Sequence, residues 1–153
     1  MDDRTFRQAM GRFATGITVI TTEVDGQVHG MTANAFMSVS LDPKLVLVSI
    51  DKKAQMHMKI RQTKKYAVSI LGEDQQQYSM IFAGQVKEHE EVSFTRLNDQ
   101  PVLDEALLTL TCDVHQIHEA GDHLLFIGKV TAMESNEGKP LLFYNGQYRT
   151  FTS

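Results

Sequence analysis

The sequence has one cysteine, three prolines and no tryptophan among its 153 residues. The single cysteine, Cys112, excludes a disulfide framework within the chain and fits a reducing compartment, so we expect a cytoplasmic protein. A single domain near this length buries roughly 68–70% of its unfolded surface and needs no such cross-link. We therefore predict one domain that spans residues 1–153.

The sequence also lacks a basic region and a long apolar run. The net charge is −4 at pH 7, and nucleic acid is not an expected partner because phosphate binding needs clustered cations. The longest apolar runs, LVLV at 45–48 and LLFI at 124–127, are far too short to span a bilayer, so no membrane contact is expected. The first thirteen residues are charged and lack the apolar region of a signal peptide.

Two familiar site motifs are missing as well. No G-x-G-x-x-G follows the first predicted strand, and no G-x-S-x-G turn is present. Cys112, His115 and His118 lie three apart, but their segment is rich in Thr, Val and Ile and predicts a strand. Residues three apart on a strand point to opposite faces, so we predict no metal site here.

The patterns that are present favour a mainly β fold. Apolar residues at Phe6, Ala9, Met10 and Phe13 predict an amphipathic helix over 3–13. Short helices are also predicted over 54–63 and 74–84, whereas 89–101 is expected to be irregular. The dipeptides at 25–26 and 145–146 are Asp-Gly and Asn-Gly, which indicate hairpins. About seven or eight strands joined in this way predict an antiparallel sheet closed into a barrel.

One predicted extended segment, residues 30–41, is unusually polar on one face. The residues of this face, named here the polar ledge, are Thr32, Asn34, Phe36, Ser38 and Ser40. The opposite face is apolar and is expected to enter the barrel core; its residues are Met31, Ala33, Ala35, Met37, Val39 and Leu41. Both a ledge for a planar heterocycle and a plain solvent-facing strand fit this pattern.

Six segments in order resemble a known family over nearly the whole chain. They are FRQAMGRFATGITVITT, HGMTANAFMSVSLDPKLVLVSID, YAVSIL, FAG, GDHLLFIGKV and PLLFYNGQYRTF. The chain resembles the flavin reductase-like family, which includes the small reductase components of two-component monooxygenases such as 4-hydroxyphenylacetate 3-monooxygenase. The resemblance implies an FMN-binding split barrel of Greek-key antiparallel strands. It also implies a homodimer that takes electrons from NADH or NADPH and serves a flavin-dependent monooxygenase.

The resemblance also implies a set of flavin-binding residues. They are Thr32, Ala33, Asn34, Ser38, Val39, Ser40, Ser49, Ile50, Asp51, Lys53, Gln55, Phe82, Ala83 and Gly84. The family often places Ser or Thr just after the VSID-like strand, where this chain has Lys53 and Gln55. This departure leaves open whether the flavin is FMN or FAD. His29 and Gly30 are expected to border the same pocket.

A second set is implied for the nicotinamide nucleotide, namely His123, Tyr144, Tyr148 and Arg149. No catalytic side chain is predicted, because the hydride passes directly between the two cofactors. Three alternatives stay open on the residues alone. They are a flavin carrier or store without turnover, an enzyme of the pyridoxamine-phosphate oxidase type, and an interaction domain without a ligand.

Overall fold

The computed structural model describes residues 1–152, which contain three helices and twelve strands. The helices are α1 Asp3–Met10, α2 Met56–Thr63 and α3 Gln76–Phe82. The strands are β1 Thr15–Gly16, β2 Thr18–Val24, β3 Gln27–Ala33, β4 Phe36–Leu41, β5 Lys44–Asp51, β6 Lys65–Ile70, β7 Phe94–Leu97, β8 Gln100–Leu103, β9 Leu108–Ala120, β10 His123–Ser135, β11 Leu141–Tyr144 and β12 Gln147–Thr150.

Seven strands form the main sheet, in the order β3-β2-β6-β9-β10-β5-β4. Every neighbouring pair in it is antiparallel. The predicted hairpin turn between β2 and β3 is confirmed, because Asp25 and Gly26 have φ values of 50° and 78°. A left-handed backbone at both turn residues matches the twist of the flanking strands. The mainly β, antiparallel fold predicted from the sequence is therefore confirmed.

The sheet curls so that its two edge strands are consecutive in the chain. Only Asn34 and Ala35 separate β3 from β4, and the Ser49 amide donates a hydrogen bond to the Ala35 carbonyl at 3.0 Å. The barrel core that fills the interior comprises Ile20, Val46, Val48, Ile50, Met56, Ile60, Tyr66, Val68, Leu110, Cys112, Leu124 and Phe126. Helix α2 contributes Met56 and Ile60 to this set, so it packs against the barrel core.

A second core lies between the main sheet and the remaining elements. It comprises Ile17, Val19, Leu71, Leu103, Ala106 and Leu141, with Phe82, Phe94 and Tyr148 packed against it. The smaller sheets that cover it are β1-β11-β12 and β7-β8. The expectation that 89–101 is irregular is wrong, since β7 begins at Phe94 and turns at Asn98 and Asp99, which have φ values of 49° and 63°.

The predicted orientation of residues 36–41 is also wrong. Phe36 packs against the barrel core, whereas Met37 is 55% exposed and Leu41 is 81% exposed. The reason is the break at Asn34 and Ala35, which turns the chain and reverses the alternation that held through β3. A register shift between Ser38 and Ser40 then adds a bulge at Val39.

Helix α1 is shorter than predicted and ends at Met10. No side chain of α1 is buried, and its apolar residues Phe6 and Met10 are exposed, as is Phe13 beyond it. The amphipathic stripe is therefore present but does not pack into either core of its own chain. None of the helices within residues 1–152 has the length and apolar content to cross a membrane.

Candidate functional site

Thr32, at the start of the polar ledge, is tied to helix α3. Its hydroxyl donates a hydrogen bond to the Ser79 carbonyl at 2.6 Å. The Ser79 hydroxyl lies 2.8 Å from the Tyr148 hydroxyl, and Ser79 is buried. A predicted flavin residue on β3 and a predicted nicotinamide residue on β12 therefore meet at one serine of α3. Because the Thr32 hydroxyl already donates its proton to Ser79, its oxygen remains free to accept a hydrogen bond from a ligand.

The rest of the polar ledge carries free hydrogen-bonding groups. Within residues 1–152, no hydrogen bond joins the side chain of Asn34, Ser38, Ser40 or Ser49 to another protein group. The carbonyl of Ala33 already accepts a hydrogen bond from the Thr18 hydroxyl at 2.7 Å. The ledge thus offers short side-chain donors and acceptors, while its main chain is paired with β2 at Thr32 and with β5 from Phe36 onwards.

An apolar cleft of about 970 Å³ separates the end of the ledge from α1. Its walls include Asn34, Met37 and Ser49 on the barrel side, and its residues on the α1 side include Phe6 and Phe13. The hydroxyl oxygen of Thr15, another lining residue, is buried without a hydrogen-bond partner. A buried hydroxyl without a hydrogen-bond partner lowers the stability of the fold. The Thr15 hydroxyl is therefore suited to a hydrogen bond with a molecule that enters the cleft.

The end of β5 brings the predicted flavin and nicotinamide residues side by side. Asp51 pairs with His123 across the β5–β10 ladder, and Ile50 pairs with Leu124. Ile50 is fully buried in the barrel core, so its side chain is not available to a ligand at the surface. The Asp51 carboxylate accepts a hydrogen bond from the Lys53 amide at 2.9 Å, which fixes the turn that leaves the strand.

His123 is oriented by its neighbour Asp122. The Nδ1 atom lies 2.7 Å from the Asp122 carboxylate, and this contact holds the pKa of Asp122 below its ordinary value. Since a carboxylate only accepts hydrogen bonds, Nδ1 carries the proton and Nε2 is left for another partner. The Asp122 carbonyl also accepts a hydrogen bond from the Lys52 amide at 3.0 Å, which joins this turn to the end of β5.

Phe82 and Gly30 form a close contact beside Thr32. A Cβ atom placed on Gly30 would lie 2.5 Å from the Phe82 ring, so only glycine fits at this position. Helix α3 ends there, with Ala83 as its C-cap and Gly84 at φ 77°. The predicted trio Phe82, Ala83 and Gly84 therefore lies against β3.

Gln55 reaches a small cavity on the other side of Gly30. The cavity has a volume of about 230 Å³ and is lined by His29, Gly30, Met31, Ala54, Gln55, Met56 and Lys59. Burial and the nearby Lys59 charge lower the pKa of His29 from its ordinary value. His29 and Gly30 share this cavity with Gln55, one of the predicted flavin residues. That they border the flavin pocket stays a prediction.

The C-terminal hairpin holds the remaining predicted residues. The Arg149 guanidinium lies 5.9 Å from the centroid of the Tyr144 ring and donates a hydrogen bond to Gln147 at 2.8 Å. The Tyr148 ring packs edge-on against Phe143 at 5.5 Å. Within residues 1–152, no hydrogen bond or ion pair joins Tyr144 or Arg149 to His123. The four predicted nicotinamide residues therefore fall into two groups in one chain.

Three residues of this region were missed by sequence reasoning. Ser79 gives no periodic signal, because a serine on a short helix is ordinarily exposed, yet it links Thr32 to Tyr148. The sequence predicts only that Lys59 lies in a helix, whereas the structure shows that it lines a cavity together with Gln55. Asp122 could have been found from the turn, since a carboxylate next to a histidine at a hairpin can orient the ring.

Comparison with known proteins places this geometry in a family. Residues 10–152 match the model of the flavin reductase like domain. The chain is 50% identical over 147 residues to an NADH-dependent flavin reductase of a Rhodococcus species, covering 94% of this chain and 84% of that protein. The solved structure of the flavin reductase PheA2 in its native state is 58% identical, with full coverage of both chains and a TM-score of 0.98.

A further solved structure is similar along the whole fold. The styrene monooxygenase flavin reductase SMOB of Pseudomonas putida S12 is 39% identical, with 97% of each chain covered and a TM-score of 0.91. The family model covers most of the chain, and the relatives match it from end to end. The chain therefore belongs to the flavin reductase like domain family.

Proposed function

We propose that this chain is an NADH-dependent flavin reductase that binds FMN or FAD and acts as a single domain. The observation that supports this most directly is the pairing of Asp51 with His123. It places the predicted flavin strand next to the predicted nicotinamide residue. The similar Rhodococcus protein is named an NADH-dependent flavin reductase, which favours NADH over NADPH as the electron donor.

The polar ledge fits a flavin ring in its chemistry. The ring edge presents alternating N–H, C=O and N groups, which need short donors and acceptors close to them. Asn34, Ser38 and Ser40 supply such groups without internal partners, and Thr32 supplies an accepting oxygen. Lys53 lies in the turn that follows β5 and offers a cation to a phosphate. The remaining predicted flavin residues supply main-chain groups or walls.

The hydride chemistry belongs to the bound cofactors, with NADH as donor and flavin as acceptor. The protein contributes positioning. The polar ledge binds the edge of the flavin ring, and His123 positions the nicotinamide ring against it. The contact with Asp122 fixes the imidazole so that Nε2 faces a ligand. Tyr144 and Arg149 offer an aromatic face and a cation to the rest of the dinucleotide.

We also propose a homodimer, with a second copy covering α1 and β4. Met37, Val39 and Leu41 project from β4, an edge strand of the main sheet, and are exposed in one chain. Phe6, Met10 and Phe13 are exposed on the other side of the apolar cleft. Several large exposed apolar side chains around one cleft are typical of a protein interface. The copy would bring its own residues next to Asn34 and Ser49.

The reduced flavin is proposed to serve a monooxygenase on another chain, in the cytoplasm. The similar protein of Pseudomonas putida is named as the flavin reductase of styrene monooxygenase, which supports a partner of this class. The single buried cysteine fits a reducing compartment. Which compound the monooxygenase oxidises does not affect the chemistry of this chain, because only reduced flavin passes between them.

The test is NADH consumption by flavin-stripped protein, followed at 340 nm with and without FMN or FAD. We expect consumption that depends on both the protein and the added flavin. A control without protein measures the direct reaction of NADH with flavin. Flavin binding without NADH consumption would indicate a flavin carrier and contradict the reductase proposal. If the protein neither binds flavin nor consumes NADH, the proposed flavin site is wrong as well.

A further inference from the structure

Lys52 is held through its amide, its carbonyl and its ammonium group. The amide donates a hydrogen bond to the Asp122 carbonyl at 3.0 Å, and the ammonium group pairs with the Glu119 carboxylate. The carbonyl oxygen lies 3.0 Å from Nε2 of His57, the second residue of α2. Two of these contacts reach the end of the β9–β10 hairpin, and the third reaches α2. Lys52 therefore joins the helix to the turn that carries His123.

The contact with Lys52 sets the orientation of the His57 ring. A carbonyl oxygen only accepts hydrogen bonds, so Nε2 carries a proton and donates it to Lys52. The other ring nitrogen, Nδ1, is buried and has no hydrogen-bond partner within residues 1–152. Because a buried nitrogen without a partner lowers the stability of the fold, stability alone does not account for a histidine at this position. What the ring supplies is one donor to the main chain of Lys52.

His57 is also the one contact that ties the Lys52 carbonyl to another element. The Asp51 carbonyl accepts a hydrogen bond from the Ala54 amide at 2.9 Å, and the Asp51 carboxylate accepts one from the Lys53 amide at 2.9 Å. Both bonds lie inside the turn at 51–54 and move with it. Within residues 1–152, only His57 bonds to the Lys52 carbonyl oxygen. Loss of the imidazole therefore lets this turn shift relative to α2.

A shift of this turn is passed on to the ring of His123. The pairing of Asp51 with His123 fixes the main chain of both residues, but it does not orient the imidazole. The imidazole is oriented by the Asp122 carboxylate, 2.7 Å from Nδ1, and the main chain of Asp122 is bonded to the Lys52 amide. The path from α2 to the His123 ring thus consists of three consecutive hydrogen bonds.

We propose that His57 is a positioning residue for the nicotinamide side of the site. It holds the main chain of Lys52 and, through Asp122, the ring of His123. The assignment rests on the proposed function, because it needs His123 to contact the nicotinamide nucleotide. The hydrogen bonds that hold the polar ledge do not involve His57. Its loss is therefore expected to affect the binding of NADH and to leave the flavin ring in place.

The kinetic test compares His57→Leu with His57→Gln. Leucine fills the space without a donor, whereas the glutamine amide places an N–H near the position of Nε2 and removes the unpaired ring nitrogen. In His57→Leu we expect KM for NADH to rise about threefold to tenfold, which is the range for loss of one hydrogen bond. The value of kcat and the flavin dissociation constant should stay within about twofold. His57→Gln is expected to stay within about twofold of the wild type in all three constants.

The matched control is His115→Leu, which is expected to leave all three constants unchanged. His115 is exposed on β9, and within residues 1–152 no hydrogen bond joins its side chain to another group. A rise in KM for NADH in this control equal to that in His57→Leu would attribute the effect to the loss of any histidine and would overturn the assignment.

A double-mutant cycle with His123→Ala separates positioning from a general fold defect. If His57 acts through His123, His57→Leu adds less than about twofold to KM for NADH once the His123 ring is absent. A general defect would raise KM by the same factor in both backgrounds, and that result would overturn the assignment.

Hydrogen exchange tests the contact without any cofactor. Exchange of the Lys52 amide is followed by NMR on the full chain without added flavin or NADH. We expect the amide to exchange about threefold to tenfold faster in His57→Leu than in the wild type, because its bond to Asp122 opens more often when the turn is less firmly held. Exchange in His57→Gln and His115→Leu is expected to match the wild type.

The two kinds of measurement distinguish failure of this assignment from failure of the proposed function. Unchanged exchange of the Lys52 amide in His57→Leu, or an unchanged KM for NADH, would overturn the positioning role and leave the reductase intact. A flavin dissociation constant that rises as much as KM would also overturn it, because the effect would then not be confined to the nicotinamide side. A wild-type protein that does not consume NADH would overturn the proposed function, and the positioning role with it.

Discussion

His123 lies directly opposite Asp51, where the first residue of β10 pairs with the last residue of β5. This pairing joins the turn that carries the predicted nicotinamide residue to the strand that carries three predicted flavin residues. The Lys52 amide and the Asp122 carbonyl extend the link by a hydrogen bond of 3.0 Å. Because the position is set by backbone pairing between long strands, the two binding regions keep a fixed spacing.

Replacing His123 by alanine is expected to lower kcat/KM for NADH by about tenfold to a hundredfold, mostly through KM, because the side chain positions the dinucleotide without taking part in hydride transfer. The flavin dissociation constant should stay within about twofold, since the ledge is unchanged. Steady-state kinetics with varied NADH at saturating flavin measures the effect.

The matched control for His123 is His118→Ala. His118 is exposed on β9 and pairs with Leu125 in the β9–β10 ladder. Within residues 1–152, its side chain forms a hydrogen bond with Gln116 alone. Its removal should leave both constants unchanged. If His118→Ala reproduced the loss, or if His123→Ala changed flavin affinity and NADH kinetics equally, the assignment of His123 to the nicotinamide side would fail.

His29 gives a prediction about pH. Burial first, and the Lys59 charge second, lower its pKa below the ordinary value of 6.5 in the folded protein. Below that ordinary value the unfolded chain therefore takes up a proton more readily than the folded one, and stability falls as pH is lowered towards the folded pKa. NMR titration of the folded protein and of the protein in urea should give the lower pKa for the folded state. Lys59→Gln should raise the folded value, and an unchanged or lower value would contradict the contact.

Gly30→Ala tests the contact with Phe82. The new Cβ would lie 2.5 Å from the ring, so the ring or α3 must move, and the free energy of unfolding is expected to fall by about 1–3 kcal/mol. Gly16→Ala is the control, because a Cβ there would meet no atom within 4 Å. Urea denaturation measures both, and Phe82→Leu should recover part of the loss when combined with Gly30→Ala.

The turns and the fold class were predictable because their signals are local. Asp25-Gly26 and Asn145-Gly146 adopt the left-handed conformation that these residues favour, and hairpins follow from it. The turn at Asn98 and Asp99 has the same conformation without a glycine, which is why the hairpin of β7 and β8 was missed. Local composition thus indicated most of the antiparallel fold.

The orientation of β4 and the links of the site depend on contacts far apart in sequence. The alternation through 30–41 predicted one continuous strand, but Phe36 packs into the barrel core and the Ser49 amide bonds to Ala35. Thr32 reaches a carbonyl 47 residues away on α3. Periodicity within a strand carries no information on contacts with residues far away in the sequence. The site residues were therefore predicted from the family resemblance, and the hydrogen bonds that join them are known only from the structure.

The hydrogen bond between Ser79 and Tyr148 is expected to stabilise the hairpin against α3 by about 1 kcal/mol. The two hydroxyls lie 2.8 Å apart, and Ser79 is buried. Ser79→Ala and Tyr148→Phe should each lower the free energy of unfolding, and the double variant should lose less than the sum because one bond is shared. Additive losses in urea denaturation would show that the two hydroxyls do not interact.

Met37→Glu is expected to convert the proposed homodimer into a monomer. Met37 is 55% exposed on an edge strand and lines the apolar cleft, so a carboxylate there would be buried without a partner if a second copy covered it. Met58→Glu is a close control, since Met58 is 56% exposed on α2 and lies outside the cleft. Size-exclusion chromatography with light scattering measures the mass of each. If the dimer survives Met37→Glu, the interface lies elsewhere on the chain. If the wild-type protein is a monomer, there is no such interface, and β4 faces solvent as it does in the single chain.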